Sequence, residues 1–244
     1  MRRIVAPTLD ARLETALALC EPCDVCADVG ADHGRLGAAA LMRGVAKRAL
    51  LSDVSAKALE KSRVRIRRLG LGDRVVFAVA DGLDALDALG DQRADTVFVL
   101  GMGGDTVSGI LSRGRGRLQG ATLVLSVHTD MPELRQTVCE IGYRIRREEV
   151  VQDGQRYYIL MKCQPAEPSE PAYDDEALWL GPALLRTFPP LWKPVLERRK
   201  RLLSQGVEAM AKAGLAKDEA RLAAFRREMV CVQRALDHYK EVAP

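Results

Sequence analysis

The chain has 244 residues, 48% of them hydrophobic and only 11 of them proline, which is enough apolar material to bury a substantial core without disulfide or metal staples. Its 29% charged fraction and formal charge of +4 come with no apolar run near the roughly 20 residues of a bilayer span, which argues against wholesale disorder and against a helical membrane protein. After Met1-Arg2-Arg3-Ile4 comes neither an apolar core segment nor a small-residue cleavage site, so no secretory signal is visible and a cytoplasmic protein is expected.

Leu9, Leu13, Ala16 and Leu17 lie at helical spacing and predict an amphipathic helix from Thr8 to Leu19, with Thr8 as its cap. Cys20, Cys23 and Cys26 form a Cys-x-x-Cys-x-x-Cys run of the kind that holds zinc or iron–sulfur clusters. A closed site needs a fourth ligand, and Cys26 falls in an apolar stretch where thiols serve as small hydrophobes, so no metal is expected. Val25–Val29, Ala49–Leu51, Val75–Val79, Thr96–Leu100 and Thr122–Val127 read as strands separated by segments long enough for crossover helices, the pattern of a parallel α/β sheet. Tyr143–Val151 and Arg156–Cys163 are strand-like runs joined by Asp153-Gly154, a hairpin signal that would close the sheet with an antiparallel pair.

Pro165 to Pro171 holds three prolines in seven residues and reads as a stiff linker. Beyond it, Leu196, Leu203, Val207 and Met210, then Leu222, Phe225, Met229, Val232, Leu236 and Tyr239, predict two helices hinged near Gly214–Asp218 and packed as a coiled-coil-like α-helical hairpin. The expected organisation is a first domain over 1–164, a linker and connection over 165–189, and a helical hairpin over 190–244. That last segment carries 12 basic against 7 acidic residues and is the most basic for its length.

Asp28-Val-Gly-Ala-Asp-His-Gly34 follows the first strand and opens a helix, where a glycine turn lets a nucleotide-like ligand approach the backbone. A dinucleotide fingerprint would place glycine at positions 32 and 35, whereas this chain has Asp32 and Arg35. Pyrophosphate would meet a carboxylate there, but the ammonium of S-adenosylmethionine would be attracted, so that cofactor is favoured over NAD. The same pattern also suits a helix cap with a turn glycine. Asp53 ends the second strand, 23 residues after Gly30, near the spacing at which an acid reaches a ribose diol, and Asp81-Gly82 ends the third. Gly101, Met102 and Gly103 end the fourth, where glycines admit close approach and a thioether can cover a flat ring. The Pro-Pro-aromatic run typical of enzymes that methylate an exocyclic base amine is absent there, which favours a ring nitrogen as acceptor.

Five parallel strands closed by an antiparallel hairpin resemble the Rossmann-like class I methyltransferase fold. More narrowly, Ala27-Asp-Val-Gly-Ala-Asp-His33, Gly101-Met-Gly-Gly104 and the helical hairpin after Trp192 resemble the bacterial tRNA (adenine(22)-N1)-methyltransferases of the TrmK type over essentially the whole chain. Departures are Gly34-Arg-Leu-Gly37 where the family has Ala-Tyr-Leu-Pro, and Ser126-Val-His128 where it has Gln-Pro-Asn. The resemblance implies an S-adenosylmethionine-dependent enzyme acting on tRNA. It places Asp28, Gly30, Asp32, His33, Asp53, Asp81, Gly82, Gly101, Met102 and Gly103 around the cofactor, with Asp32 or His33 as the catalytic group.

Phosphate contacts are expected from Arg35, from Arg113, Arg115 and Arg117, and from Arg198, Arg199 and Lys200. Lys57, Lys61, Arg63, Arg65, Arg67 and Arg68 form a further basic cluster that reads as encircling a helix. A monomer is favoured. The competing expectations are a methyltransferase of a small molecule or protein, and a non-catalytic RNA-binding protein of the same fold.

Overall fold

A computed structural model of the chain describes residues 5–212 and 219–241, so Met1–Ile4 and the expected hinge at Gly214–Asp218 lie outside the described residues. The residues fall into two compact units, Met1–Pro171 and Ala172–Pro244. No helix among the described residues is long and apolar enough to cross a membrane.

The first helix, α1, spans Ala11–Ala18. Asp10, not Thr8, caps it, because the Asp10 carboxylate accepts the Leu13 N–H at 2.9 Å. Then follow β1 (Cys23–Val29), α2 (Arg35–Met42), β2 (Ala46–Asp53), α3 (Ala56–Arg68), β3 (Val75–Val79), β4 (Thr96–Met102), α4 (Gly104–Gly114), β5 (Thr122–Val127) and α5 (Met131–Glu140). Between β3 and β4 the chain turns in a 3-10 segment, Gly82–Leu89, that buries Leu83, Leu86 and Leu89. The first unit ends with β6 (Tyr143–Asp153) and β7 (Arg156–Pro165).

The seven strands form one sheet in the order β3-β2-β1-β4-β5-β7-β6, with β1 to β5 parallel and β7 antiparallel to both neighbours. The last strand in sequence thus lies inside β6. Its fully buried Leu160, Met161 and Cys163 explain the choice, since an interior strand needs apolar contact on both faces whereas β6 alternates buried and open positions. The hairpin turn is Gly154-Gln155, one residue beyond the expected Asp153-Gly154. Asp153 pairs with Arg156, and Gly154 alone takes positive φ (+59°), the pattern of a type II′ turn.

Register sets the ligand edge. Val29 pairs with Ser52 and Val99, and Asp53 with Val79, so the carboxyl ends of β1, β2, β3 and β4 finish side by side. α2 lies close on this sheet because its buried stretch Gly37-Ala-Ala-Ala40 is small, and a Cβ at Gly37 would overlap the Leu51 side chain. Behind β6, Arg135 of α5 donates from Nε and Nη2 to Glu148 at 3.0 and 2.9 Å, with both side chains essentially fully buried.

In the second unit, α6 (Asp175–Leu180) and α7 (Leu184–Thr187) occupy part of the 165–189 stretch expected as a connection, and α8 (Trp192–Lys212) and α9 (Glu219–Glu241) pack on each other. Leu196 and Leu203 of α8 and Val232, Ala235 and Leu236 of α9 are all buried. Phe225 lies against Gly206, where a Cβ would come to 2.7 Å of its ring. Arg199 grips the buried Glu228 in a fork, at 2.6 and 2.7 Å, tying α8 to α9.

Candidate active site

The turn after β1 is shaped by backbone conformation. Gly30 (φ +79°), Asp32 (φ +43°) and Gly34 (φ +61°) all lie in the left-handed region, so the chain doubles back before α2 begins at Arg35. Gly30 is required twice over, by its φ and because a Cβ there would overlap the Met102 methyl group. Asp32 does not cap α2. Gly34 holds that position with no side-chain bond, which leaves the Asp32 carboxylate 63% exposed.

Two side chains of α3 hold this turn from outside. The Ser62 hydroxyl donates to the Asp32 carbonyl at 2.7 Å, and Arg65 Nε donates to the His33 carbonyl at 2.8 Å. The His33 ring approaches Asp32, with Nε2 3.3 Å from Oδ2.

Asp28, Gly30, Asp32, His33 and Arg35 line one cavity of about 140 Å³, together with Asp10, Arg12 and Leu100. Asp28 is buried, and that burial raises its carboxyl to about 7. A backbone hydrogen bond from Gly37 and the Arg12 charge oppose the rise, while the Asp53 charge adds to it. Asp53 accepts the Ser55 N–H on Oδ1 at 2.8 Å, and its second oxygen has no hydrogen-bond partner among the described residues. Asp81 lies at the end of the next strand, 3.3 Å from Arg113 Nη2, and Gly82 turns beneath it at φ +58° against Ile110.

Gly101 takes φ +78° where β4 departs from regular register, and the Arg12 guanidinium occupies the space in which its Cβ would sit, with Nη1 2.8 Å away. Met102 reaches across to Gly30, and Gly103 caps α4. The structure therefore gathers the residues expected from the first and fourth strands into one place, with Asp53 and Asp81 on the adjoining strand ends.

The basic residues divide differently from the expectation. Arg35 is tied to the segment before α1, donating to the Thr8 carbonyl at 2.6 Å and lying 3.5 Å from Asp10. Arg117 pairs with Asp84 at 3.0 Å and Asp87 at 2.9 Å, and Arg113 with Asp81, while Arg115 has no ion-pair partner among the described residues. In the second unit Lys200 donates to Gln233 and Arg199 to Glu228, with Arg198 exposed. On α3 the basic residues do not simply encircle the helix. Lys57, Lys61, Arg65 and Arg68 line one groove of about 660 Å³ that runs to His33, while Arg63 stacks over Phe77 at 4.5 Å.

Arg12, Ser62 and Tyr158 carry no signal that was read in the sequence, and Arg65, expected only as one of a basic cluster, instead donates to the His33 carbonyl. Ser62 had a visible signal, a serine at i+3 from Leu59 and four before Ile66 in the buried stripe of α3. Tyr158 stands between two other groups at this edge, with Arg12 Cζ 5.6 Å from its ring centroid and the His128 ring 5.9 Å away in an edge-on arrangement. Cys20, Cys23 and Cys26 are free thiols, and no group of three His, Cys, Asp or Glu among the described residues is arranged to hold a metal ion.

A family model described as a methyltransferase domain matches residues 9–161. The tRNA (adenine(22)-N(1))-methyltransferase of Bacillus subtilis (strain 168) is 24% identical over 240 residues, covering 94% of this chain and 98% of that protein. The crystal structure of the B. subtilis m1A22 tRNA methyltransferase TrmK superposes with a TM-score of 0.84 at 18% identity, over 94% of this chain and 99% of that one. The structure of M. capricolum TrmK in complex with S-adenosyl-homocysteine does so with a TM-score of 0.78 at 19% identity, over 92% and 99% of the two chains.

Proposed function

The chain belongs to the methyltransferase-domain family, and from that premise we propose that it methylates N1 of an adenine in tRNA, adenine 22, using S-adenosylmethionine. The observation that carries this reading is the single edge on which Asp28, Gly30, Asp32, His33, Gly101 and Met102 come together, in a chain similar over nearly its full length to an adenine-22 N1 methyltransferase.

The chain's own residues fit that cofactor. Asp28 and Asp32 are acids where an ammonium is to be held and where a pyrophosphate would be repelled. The unengaged oxygen of Asp53 suits a ribose hydroxyl, and Gly30 and Gly101 keep the backbone free of side-chain bulk. When bound, the cofactor supplies a methyl group on a sulfonium.

Adenine N1 carries an in-plane lone pair, so the acceptor needs no prior deprotonation and positioning is the main task. The methylated ring becomes cationic. The Asp32 carboxylate, exposed beside the cavity on a turn whose backbone carbonyl accepts from Ser62, stabilises that charge or receives a proton from the adenine amine, with His33 at 3.3 Å as its partner. Because N1 lies on the pairing edge, the base must leave its stack, at a cost of about a few kcal/mol. Phosphate contacts that offset this cost are available on α3, where Lys57, Lys61 and Arg68 lead toward His33, and on the exposed Arg198, Arg201, Arg226 and Arg227 of the helical hairpin.

Nucleoside mass spectrometry of tRNA incubated with the protein and methyl donor tests the reading. The expected product is 1-methyladenine, lost when position 22 is changed to guanine. Methylation at another atom or position, or none, would overturn it.

A further inference from the structure

The cysteine run of the first unit lines neither the candidate active site nor, among the described residues, a metal site, and its first two members differ from the third. Cys20 follows the last turn of α1, its N–H donating to the Leu17 carbonyl at 3.1 Å, and Cys23 opens β1, its N–H donating to the Val45 carbonyl at 2.9 Å. Only Glu21 and Pro22 lie between them, so two anchored backbone segments bring the thiols together across a short turn. Cys20 is buried in the core cluster beneath α1 and α2, and Cys23 is half-buried against it.

The surroundings of Cys20 favour a thiolate. A hydrogen bond from the Cys23 thiol does most to pull the Cys20 thiol down to about 7, with smaller help from the Thr96 side chain and the charge of Lys162, against burial and the charge of Glu21. The same contact, with burial added, pushes Cys23 up. Cys26, Cys163 and Cys231 are instead raised by burial above all, as befits small apolar side chains.

A nucleophilic thiol and a second thiol in contact with it are the two parts that a reversible disulfide needs. We propose that Cys20 and Cys23 form a peroxide-sensitive dithiol, which closes to a disulfide when a hydroperoxide reaches Cys20. At 7% exposure Cys20 admits only a small oxidant, and hydrogen peroxide is hardly larger than water. The Cys20 thiolate attacks one peroxide oxygen, so that an S–O bond forms, the O–O bond breaks, and the leaving hydroxide takes a proton to become water. The product is a sulfenic acid. Cys23 then attacks the Cys20 sulfur as it gives up its own proton; the S–S bond forms, the S–O bond breaks, and the released hydroxide takes that proton as a second water. Two electrons pass in all from the pair of sulfurs to the peroxide. The bond ties the end of α1 to the start of β1, and a small dithiol reopens it by exchange. The dithiol depends on neither the cofactor nor the tRNA assignment.

The test is mass spectrometry of the full chain after exposure to hydrogen peroxide, with unreacted thiols blocked before digestion. Cleavage after Glu21 and before Asp24 places Cys20, Cys23 and Cys26 on separate fragments, so the disulfide is read as the Cys20 and Cys23 fragments joined. That pair should form on the order of tenfold faster than Cys231 is oxidised, following the thiolate fraction, and should part again in dithiothreitol. In Cys23→Ser the sulfenic acid has lost its partner and should be captured on Cys20 by dimedone, whereas Cys20→Ala should leave Cys23 a free thiol. Should either variant fail to fold, the wild-type measurement decides by itself. A disulfide that includes Cys26, oxidation of Cys20 no faster than that of Cys231, or Cys23 oxidised as fast in Cys20→Ala as in wild type would overturn the proposal.

Discussion

The Ser62 hydroxyl, fully buried on α3, donates to the backbone carbonyl of Asp32 at 2.7 Å and so fixes a non-glycine residue in the left-handed region, at φ +43°. Backbone of this kind costs about 1–3 kcal/mol and persists where surrounding contacts hold it. Arg65 supplies the second such contact, to the carbonyl of His33. Strain held in place from outside the turn is a sign that the carboxylate's direction matters.

Ser62→Ala should therefore lower stability by about 1–2 kcal/mol and slow methyl transfer while binding of the cofactor product changes little. Thermal unfolding and single-turnover rates check this together. A rate equal to wild type would mean that the turn holds its conformation without α3.

The buried pair of Arg135 and Glu148 joins α5 to β6, and neither residue lines the cavity that holds Asp28, Asp32 and His33. Glu148→Gln removes the negative charge that faces the buried Arg135 guanidinium and should cost about 3–5 kcal/mol, read by denaturant unfolding. Affinity for the cofactor product at a temperature where the variant is folded should be unchanged, and a loss of affinity would indicate that the two regions are coupled.

Asp28 makes a prediction about pH. Its carboxyl is raised to about 7 by burial, against about 4 in an unfolded chain. The folded state thus disfavours the ionised form, and the resulting penalty is absent below about pH 4, grows between pH 4 and 7, and is complete above 7. Asp28→Asn removes it. The variant should match wild type in stability near pH 4 and exceed it above pH 7, by on the order of 2–4 kcal/mol. Wild-type affinity for the ammonium-bearing cofactor product should rise with pH through the same interval. Parallel stability curves for the two proteins would show that Asp28 is ionised in the folded state without penalty.

The groove on α3 predicts which arginines and lysines tRNA meets in the first unit. Lys57→Ala, Lys61→Ala and Arg68→Ala should each weaken tRNA binding and reduce the slope of log affinity against log salt by about 0.7–0.9 per lost phosphate contact. Arg117→Ala, whose partner acids Asp84 and Asp87 already engage it, should do much less. Equal effects from the two groups would point to a diffuse attraction with no particular track.

Much of the first unit was legible because parallel strands are short apolar runs bounded by turn residues. β3 and β5 span the same residues in sequence and structure, Val75–Val79 and Thr122–Val127. β2 extends beyond Ala49–Leu51 at both ends, because the polar Lys47 and Arg48 break the apolar pattern at its start and Ser52 and Asp53 break it at its end. The site was legible as glycines and acids at strand ends, since those residue types are demanded by local backbone and by charge. What could not be read depends on residues far apart in the chain. Arg12 meets Gly101, Ser62 meets Asp32 and Arg117 meets Asp87 only after the sheet has formed, and a lone arginine or serine carries no periodic signal. The order of β7 inside β6 does have a local trace, the apolar run Tyr157–Met161 against the charged alternation of β6, although the hairpin alone does not reveal it.

The most direct test of the account is the single-turnover rate of Asp32→Asn on tRNA at saturating methyl donor, with the product identified by mass. Asparagine tolerates the left-handed backbone at this position about as well as aspartate does, and Asp32 caps no helix, so the substitution removes charge with little else. The account predicts 1-methyladenine at position 22 from wild type, and a rate lower by on the order of 100- to 1,000-fold in the variant with tRNA binding retained. A variant rate close to wild type would contradict it, leaving His33 or positioning alone as the source of the acceleration.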